Sequence, residues 1–302
     1  MTLSRRRFLK RTAAASALLT LGKAGELLAG PRPAVGVQLY TVADQLKKDF
    51  EGTLHQIRSI GYEEVEMAGF FGKNPKELRR AFENAGVRCS SIHMFDPLPE
   101  TETLDRAREI GARYAITALY LLKRTADDKA YMRMAKGLTI DDYRKMADRC
   151  NELGELAKSR GVQLGYHNEN LEFRPIQGGV GYDEFLRLTD ADLVKLELDC
   201  GWMVSAGRSP LAYISGHPDR YRLLHVKDFR PQPAPPLYGS WPGESPSPTE
   251  LGRGQIDYQP IFNLARQSGI EFYYVEQEAP FTDMPVLEAL KVDYRYVSQL
   301  KW

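Results

Sequence analysis

Apolar residues recur along this chain in two alternating rhythms. Short dense runs such as VGVQLY (35–40), EEVEM (63–67) and VRCSSIHM (87–94) predict strands. Between them, apolar positions fall three and four residues apart, in DQLKKDFEGTLHQIRSI (44–60), residues 75–85 and LDRAREI (104–110), and predict amphipathic helices. The alternation continues. ARYAITALYL (112–121) reads as a strand and IDDYRKMADRCNELGELAKSR (140–160), opened by Thr139, as a long helix. VQLGYH (162–167), ADLVKLELD (191–199), YRLLHVKD (221–228) and FYYVEQE (272–278) read as strands. YDEFLRLT (182–189), SPLAYISGHPDR (209–220) and IDYQPIFNLARQS (256–268) supply the helices between and around them. Glycine closes helix after helix, at Gly61, Gly86, Gly111, Gly161 and Gly269, as left-handed caps require.

Strictly alternating strand and helix imply an α/β chain with a parallel sheet. Eight such units in about 270 residues match a single-domain, closed (β/α)8 TIM barrel over 31–302. An open doubly wound sheet is the alternative. It would carry a glycine-rich phosphate turn after the first strand, and VQLYTVADQL has none. Two connections are long, 122–138 and 229–254. The second is rich in Pro, Gly and Ser and is expected to lack regular structure. In a barrel it lies on the C-terminal face, where active sites are built.

Charge changes the picture at the N-terminus. The chain carries 41 basic and 40 acidic residues, but residues 1–30 hold six of the bases and one acid, which leaves 35 against 39 in the body. A mildly acidic body argues against a nucleic-acid partner, whose phosphates would demand a basic face. The basic start, the short Ala/Leu-rich stretch and the small residues after it have the plan of a signal peptide over 1–30, cleaved near Ala29 or Ala34. Ser4-Arg5-Arg6-Arg7-Phe8-Leu9-Lys10 resembles the twin-arginine export signal, which implies a periplasmic or secreted protein, exported folded by the twin-arginine translocation machinery. No stable membrane anchor is expected, since nothing later is apolar enough to span a bilayer. Cys89, Cys150 and Cys200 are odd in number and irregular in spacing, and read as buried thiols.

Candidate chemistry gathers at the ends of the last four strands. Strand five ends in His167. Glu169 would share its face if the strand ran that far. Strand six ends in Asp199, strand seven carries His225, and strand eight carries Glu276. Each alone also reads as a satisfied polar residue, a turn residue or a rim ion-pair partner. Together, two imidazoles and two carboxylates converging on one mouth suit a divalent first-row metal. Lys227 shares the face of His225 and can steady an oxyanion, donate a proton, or simply pair with a rim acid.

VGVQLYTV, GYHNENLEF, KLELDCGWMVSAG, LLHVKDF, LGRGQIDY and YYVEQE together resemble the xylose isomerase-like TIM-barrel superfamily, in its sugar phosphate isomerase/epimerase group. The resemblance runs over nearly the whole chain after residue 30. It implies one divalent metal, most often Mn2+ with Mg2+, Co2+ or Zn2+ as alternatives, held by His167, Asp199, His225 and Glu276. Two positions depart from the family. Epimerases of the group hold a glutamate where His167 stands, and nearer relatives hold a histidine where Glu169 stands. The reaction implied is proton abstraction next to a carbonyl by Glu276 or Glu169, with Lys227 beside the developing oxyanion.

Other strand-end residues are expected to touch a small sugar substrate: Gln38 and Tyr40 at the end of strand one, Glu66 at the end of strand two, His93 at the end of strand three. Trp202 would stack on a sugar face or pack in the core, Glu172 would support His167, and Arg253 would reach the substrate from the long loop. No glycine-rich phosphate cradle is present, so the expected substrate is unphosphorylated. Three functions compete: an isomerase or epimerase first, a lyase or dehydratase acting on a 3-keto sugar or glycoside second, and a non-catalytic sugar-binding barrel third.

Overall fold

The computed structural model describes residues 32–119, 135–231, 236–239 and 245–302. The export signal read over residues 1–30 lies outside them, as does most of the 122–138 connection. Eight parallel strands close into a barrel: β1 Gly36–Gln38, β2 Glu64–Met67, β3 Arg88–His93, β4 Tyr114–Thr117, β5 Gln163–His167, β6 Val194–Asp199, β7 Tyr221–Val226 and β8 Phe272–Val275. Each pairs with its sequence neighbours, and β8 closes on β1. The outer helices are α1 Phe50–Ile60, α2 Pro75–Ala85, α3 Glu100–Ile110, α4 Ile140–Ser159, α5 Gly181–Leu188, α6 Pro210–Gly216, α7 Tyr258–Ala265 and α8 Val286–Gln299. Among the described residues, no helix is long and apolar enough to cross a membrane.

Local chemistry explains the boundaries. Asn74 and Thr139 each form a capping box with the residue three places on, Glu77 and Asp142. Gly86 and Gly111 end α2 and α3 at φ 73° and 98°, where a Cβ would be strained. The main core lies between sheet and helices, with Leu54, Leu78, Leu104, Leu153, Phe185 and Phe262 among its buried members. A smaller apolar plug of Tyr114, Ile116, Leu223 and Tyr274 fills the barrel axis below the site. Cys89, Cys150 and Cys200 are buried free thiols.

Several expectations need correction. The first strand does not run to Tyr40, because the chain turns into a 3-10 helix over Leu39–Val42. The helix expected over 44–60 is two, Ala43–Lys48 and α1, divided where Asp49 leaves helical geometry and caps α1 through Gly52 N. β5 stops at His167, so Glu169 does not ride the strand face beside it. The 229–254 connection is not wholly irregular, since Asp228–Phe229 pairs antiparallel with Pro248–Thr249. Helix α8 went unread in the hydrophobic pattern.

Candidate functional site

Strand register stacks the site in levels. His167 is level with Glu197, Asp199 with His225, and His225 with Tyr274. Residues two apart on a strand share a face. Glu197 therefore stands one level below Asp199, and His225 one level below Lys227.

The lower level holds three imidazoles and two carboxylates. Glu197 Oε2 lies 3.0 Å from His93 Nε2, 3.0 Å from His167 Nδ1 and 3.3 Å from His225 Nε2. Glu66 Oε2 is bonded to His225 Nε2, accepts from Gln38 Nε2 at 2.8 Å, and lies 3.3 Å from His93 Nε2. Burial alone would lower the His93 pKa, but Glu66 and Glu197 reverse that and raise it to about 9. Burial pushes Glu197 up to about 7, with the Glu66 charge adding to it. The Glu66 carboxyl goes well below its ordinary value: burial opposes this, but His93 and His225 outweigh it. His167 is held well below its ordinary value by burial and by the neighbouring His225 and His93.

The upper level is a charge cluster around Lys227. Its Nζ lies 2.6 Å from Glu276 Oε2, 2.8 Å from Glu278 Oε1 and 3.0 Å from Asp199 Oδ2. His225 reaches up to the same group, with Nδ1 2.9 Å from Glu276 Oε2. Burial works against the Lys227 charge, yet Asp199, Glu276 and Glu278 raise its pKa well above the ordinary range. Burial likewise opposes ionisation of Glu276, and Lys227 and His225 overcome it, holding that carboxyl well below its usual range. Trp202 covers the ammonium from one side, 5.0 Å from Nζ to the ring centre, and its backbone N–H donates to Asp199 Oδ1. Trp202 also lines an outward cleft of about 480 Å³ with Phe229, Arg230, Pro246, Glu278 and Pro280.

The stretch GYHNENLEF folds back at the mouth. Asn168 bonds reciprocally with the Asp199 backbone, and so ties β5 to β6. Glu172 accepts from Tyr166 Oη and from the Glu169 N–H, so it supports the turn rather than His167. Among the described residues, the Glu169 carboxylate has no hydrogen-bond or ion-pair partner. Burial first and Glu172 second raise its pKa to about 8, and the charges of Glu278, Lys227 and Asp199 also reach it.

Asp199, His225 and Glu276 thus meet at the mouth, whereas His167 turns its Nδ1 to the lower group and leaves Nε2 3.8 Å from Asp199 Oδ2. Gln38, Glu66 and His93 belong to the lower level and are buried. Tyr40 is 54% exposed on the rim, and Arg253 pairs with Glu250. Glu197 was missed. The signal was present in VKLELD, where alternation turns Glu197 inward beside Asp199.

The donor set fits a divalent metal. Asp199, His225 and Glu276 form one group of ligand atoms within 4.8 Å of one another; His93, His167, Glu197 and His225 form another. Oε1 of Glu66 and of Glu197 are buried without a hydrogen-bond partner, and so is Asp199 Oδ2, whose contacts are ion pairs with Lys227 at 3.0 Å, His225 at 3.7 Å and His167 at 3.8 Å. So many buried carboxylates around one ammonium call for further positive charge.

A family model described as xylose isomerase-like TIM barrel matches residues 54–291, and the chain belongs to that family. Inosose dehydratase of Lacticaseibacillus casei is 27% identical over 269 residues, covering 80% of this chain and 87% of that protein. Inosose dehydratase of Clostridium perfringens (strain 13 / Type A) is 29% identical over 268 residues, covering 80% and 87%. Among solved structures, a sugar phosphate isomerase/epimerase from Parabacteroides distasonis superposes with TM-score 0.72 at 23% identity, covering 89% of this chain and 98% of that one. That last likeness is one of fold.

Proposed function

We propose that this protein is a lyase of sugar chemistry, which eliminates a hydroxyl or alkoxyl group next to the ketone of an unphosphorylated keto-sugar or keto-polyol. The observation that carries this reading is the pairing of a free carboxylate with a fixed cation. Glu169 has no partner among the described residues, while Lys227 is anchored by three carboxylates at the same mouth. A C–H beside a ketone becomes acidic when positive charge faces the carbonyl oxygen. Lys227 supplies that charge. Glu169 removes the proton and returns it to the leaving oxygen, so one side chain serves as base and then acid. Glu276 and Asp199 hold the ammonium in place, and Trp202 bounds the substrate on the side of the cleft. A divalent ion held by Asp199, His225 and Glu276, of the manganese type, would add Lewis-acid polarisation of the carbonyl. The dehydratases that resemble this chain over 80% of its length support elimination.

Isomerisation is the second reading and was the first expectation from sequence. It uses the same abstraction and differs in returning the proton to carbon. The shared fold with an isomerase/epimerase supports it. The test is product analysis on a panel of keto-sugars, keto-glycosides and keto-inositols in D₂O. Loss of water or aglycone supports the lyase, and deuterium gain without mass loss supports the isomerase. If neither occurs with any ketone, both are wrong and a binding barrel remains.

A further inference from the structure

We propose that the barrel carries a second divalent-cation site, one level below the mouth, formed by His93 Nε2, His167 Nδ1 and Glu197 Oε2 with His225 Nε2 at the fourth corner. The inference is independent of the reaction proposed above.

Four ligand atoms within 4.8 Å of one another can close on an ion as a tetrahedral site. Metal–nitrogen and metal–oxygen bonds of about 2.0–2.2 Å place neighbouring ligand atoms about 3.3–3.5 Å apart. The three nitrogens stand 3.0, 3.0 and 3.3 Å from Glu197 Oε2, so an opening of a few tenths of an ångström at two of them admits an ion. The side chains come from four different strands, and all four are buried. His225 presents Nε2 to this level, where an ion would replace its hydrogen bond to Glu66 Oε2, and Nδ1 to the mouth, 2.9 Å from Glu276 Oε2. With both ions bound it bridges them as an imidazolate, and with the lower ion alone Nδ1–H donates to Glu276.

Two further observations point the same way. Glu197 Oε1 and Glu66 Oε1 are buried with no hydrogen-bond partner. The sheet also breaks register where it presents these glutamates, between Val65 and Glu66 against β3 and between Leu196 and Glu197 against β7. A register shift next to a functional site re-aims a side chain at the cost of regular pairing. The cation already present, Lys227, contacts Asp199, Glu276 and Glu278 on the upper level and pairs with neither Glu66 nor Glu197.

Three imidazoles and one carboxylate favour zinc, cobalt or ferrous iron over magnesium or calcium. The mouth group, with two carboxylates and one imidazole, is richer in oxygen and suits manganese as well as cobalt, so the two positions differ in ligand set.

The test uses the full chain, stripped with chelator and reloaded with Co2+. Metal content is measured together with the visible absorption of tetrahedral cobalt. The wild type is expected to hold two ions per chain and show the intense tetrahedral band. Glu197→Gln and His93→Gln should each hold one ion and lose that band. Asp199→Asn should hold one ion and keep it. Circular dichroism confirms folding, and if one lower-level variant fails to fold the other gives the reading. A wild type holding one ion or none, or a folded Glu197→Gln with unchanged content and band, overturns the proposal. In that case protons on His93 and His225 neutralise the two glutamates. Loss of product formation with both ions still bound would instead count against the reaction and leave this site standing.

Discussion

The ammonium of Lys227 lies 2.6 Å from the Glu276 carboxylate, and both groups are buried at the barrel mouth. Their pairing does two things. It keeps Glu276 ionised in a place where burial would protonate it, and it fixes one positive charge where a substrate carbonyl enters. Lys227→Met removes that charge and leaves Asp199, Glu276 and Glu278 facing one another. Breaking a buried pair from one side costs about 3–5 kcal/mol, so the urea midpoint should fall clearly. Turnover should fall by about 100-fold or more, because the oxyanion loses its fixed partner. Near-normal turnover in a folded Lys227→Met protein would remove Lys227 from the mechanism.

Glu169 calls for the opposite outcome in stability. Its carboxylate has no partner among the described residues and burial already disfavours its charge. Glu169→Gln should therefore leave the melting temperature unchanged or slightly raised. Metal content should also stay the same. The rate should nevertheless drop by about 10²- to 10⁴-fold, the usual worth of a positioned acid–base group. The decisive comparison is turnover against metal content in one preparation. A variant with full metal and full activity assigns the proton transfer to Glu276.

Gly201 tests the lysine from below. A Cβ at this position would lie 2.3 Å from Lys227 Cγ and 3.0 Å from the Phe229 ring. Gly201→Ala must displace the lysine stem or the short Cys200–Ser205 helix. Overpacking of this kind costs about 1–3 kcal/mol. The activity loss should be larger in proportion, on the order of tenfold or more, because the ammonium moves relative to its carboxylates. If Gly201→Ala melts early but turns over normally, the lysine position is not critical to the reaction.

The barrel was legible because its signals are local. Dense apolar runs, helical spacing and glycine stops each lie within a few residues, and they set all eight strands. The mouth was legible for the same reason, since Asp199, His225 and Glu276 stand at or near strand ends. The lower level was not. Its depth depends on register shifts at Glu66 and Glu197, set by pairing between successive strands across an intervening helix, which no single short stretch of sequence records. The rotation of His167 toward Glu197 depends on the same pairing. Helix α8 was missed because its apolar positions, such as Val286, Leu290 and Val297, are interleaved with tyrosines and charges, and because one buried position holds an aspartate.

That aspartate gives a pH prediction away from the site. Asp293 is buried on α8 and accepts the Leu251 N–H at 2.7 Å. Burial raises its pKa from 3.8 to about 8, and the nearby Glu250 charge adds to the effect. The folded protein thus keeps the proton where the unfolded chain releases it. Protonated Asp293 contributes its full stability below about pH 4, and that contribution is lost as pH rises toward about 8. An asparagine side chain at this position would keep the acceptor for Leu251 N and has no proton to lose. Asp293→Asn should therefore match the wild type near pH 4 and exceed it increasingly up to pH 8, by a few kcal/mol at most. Melting temperatures of both proteins measured across this range test the point. A constant gap would mean that Asp293 has a countercharge in solution, and a gap that shrinks with rising pH would reverse the sign of its burial.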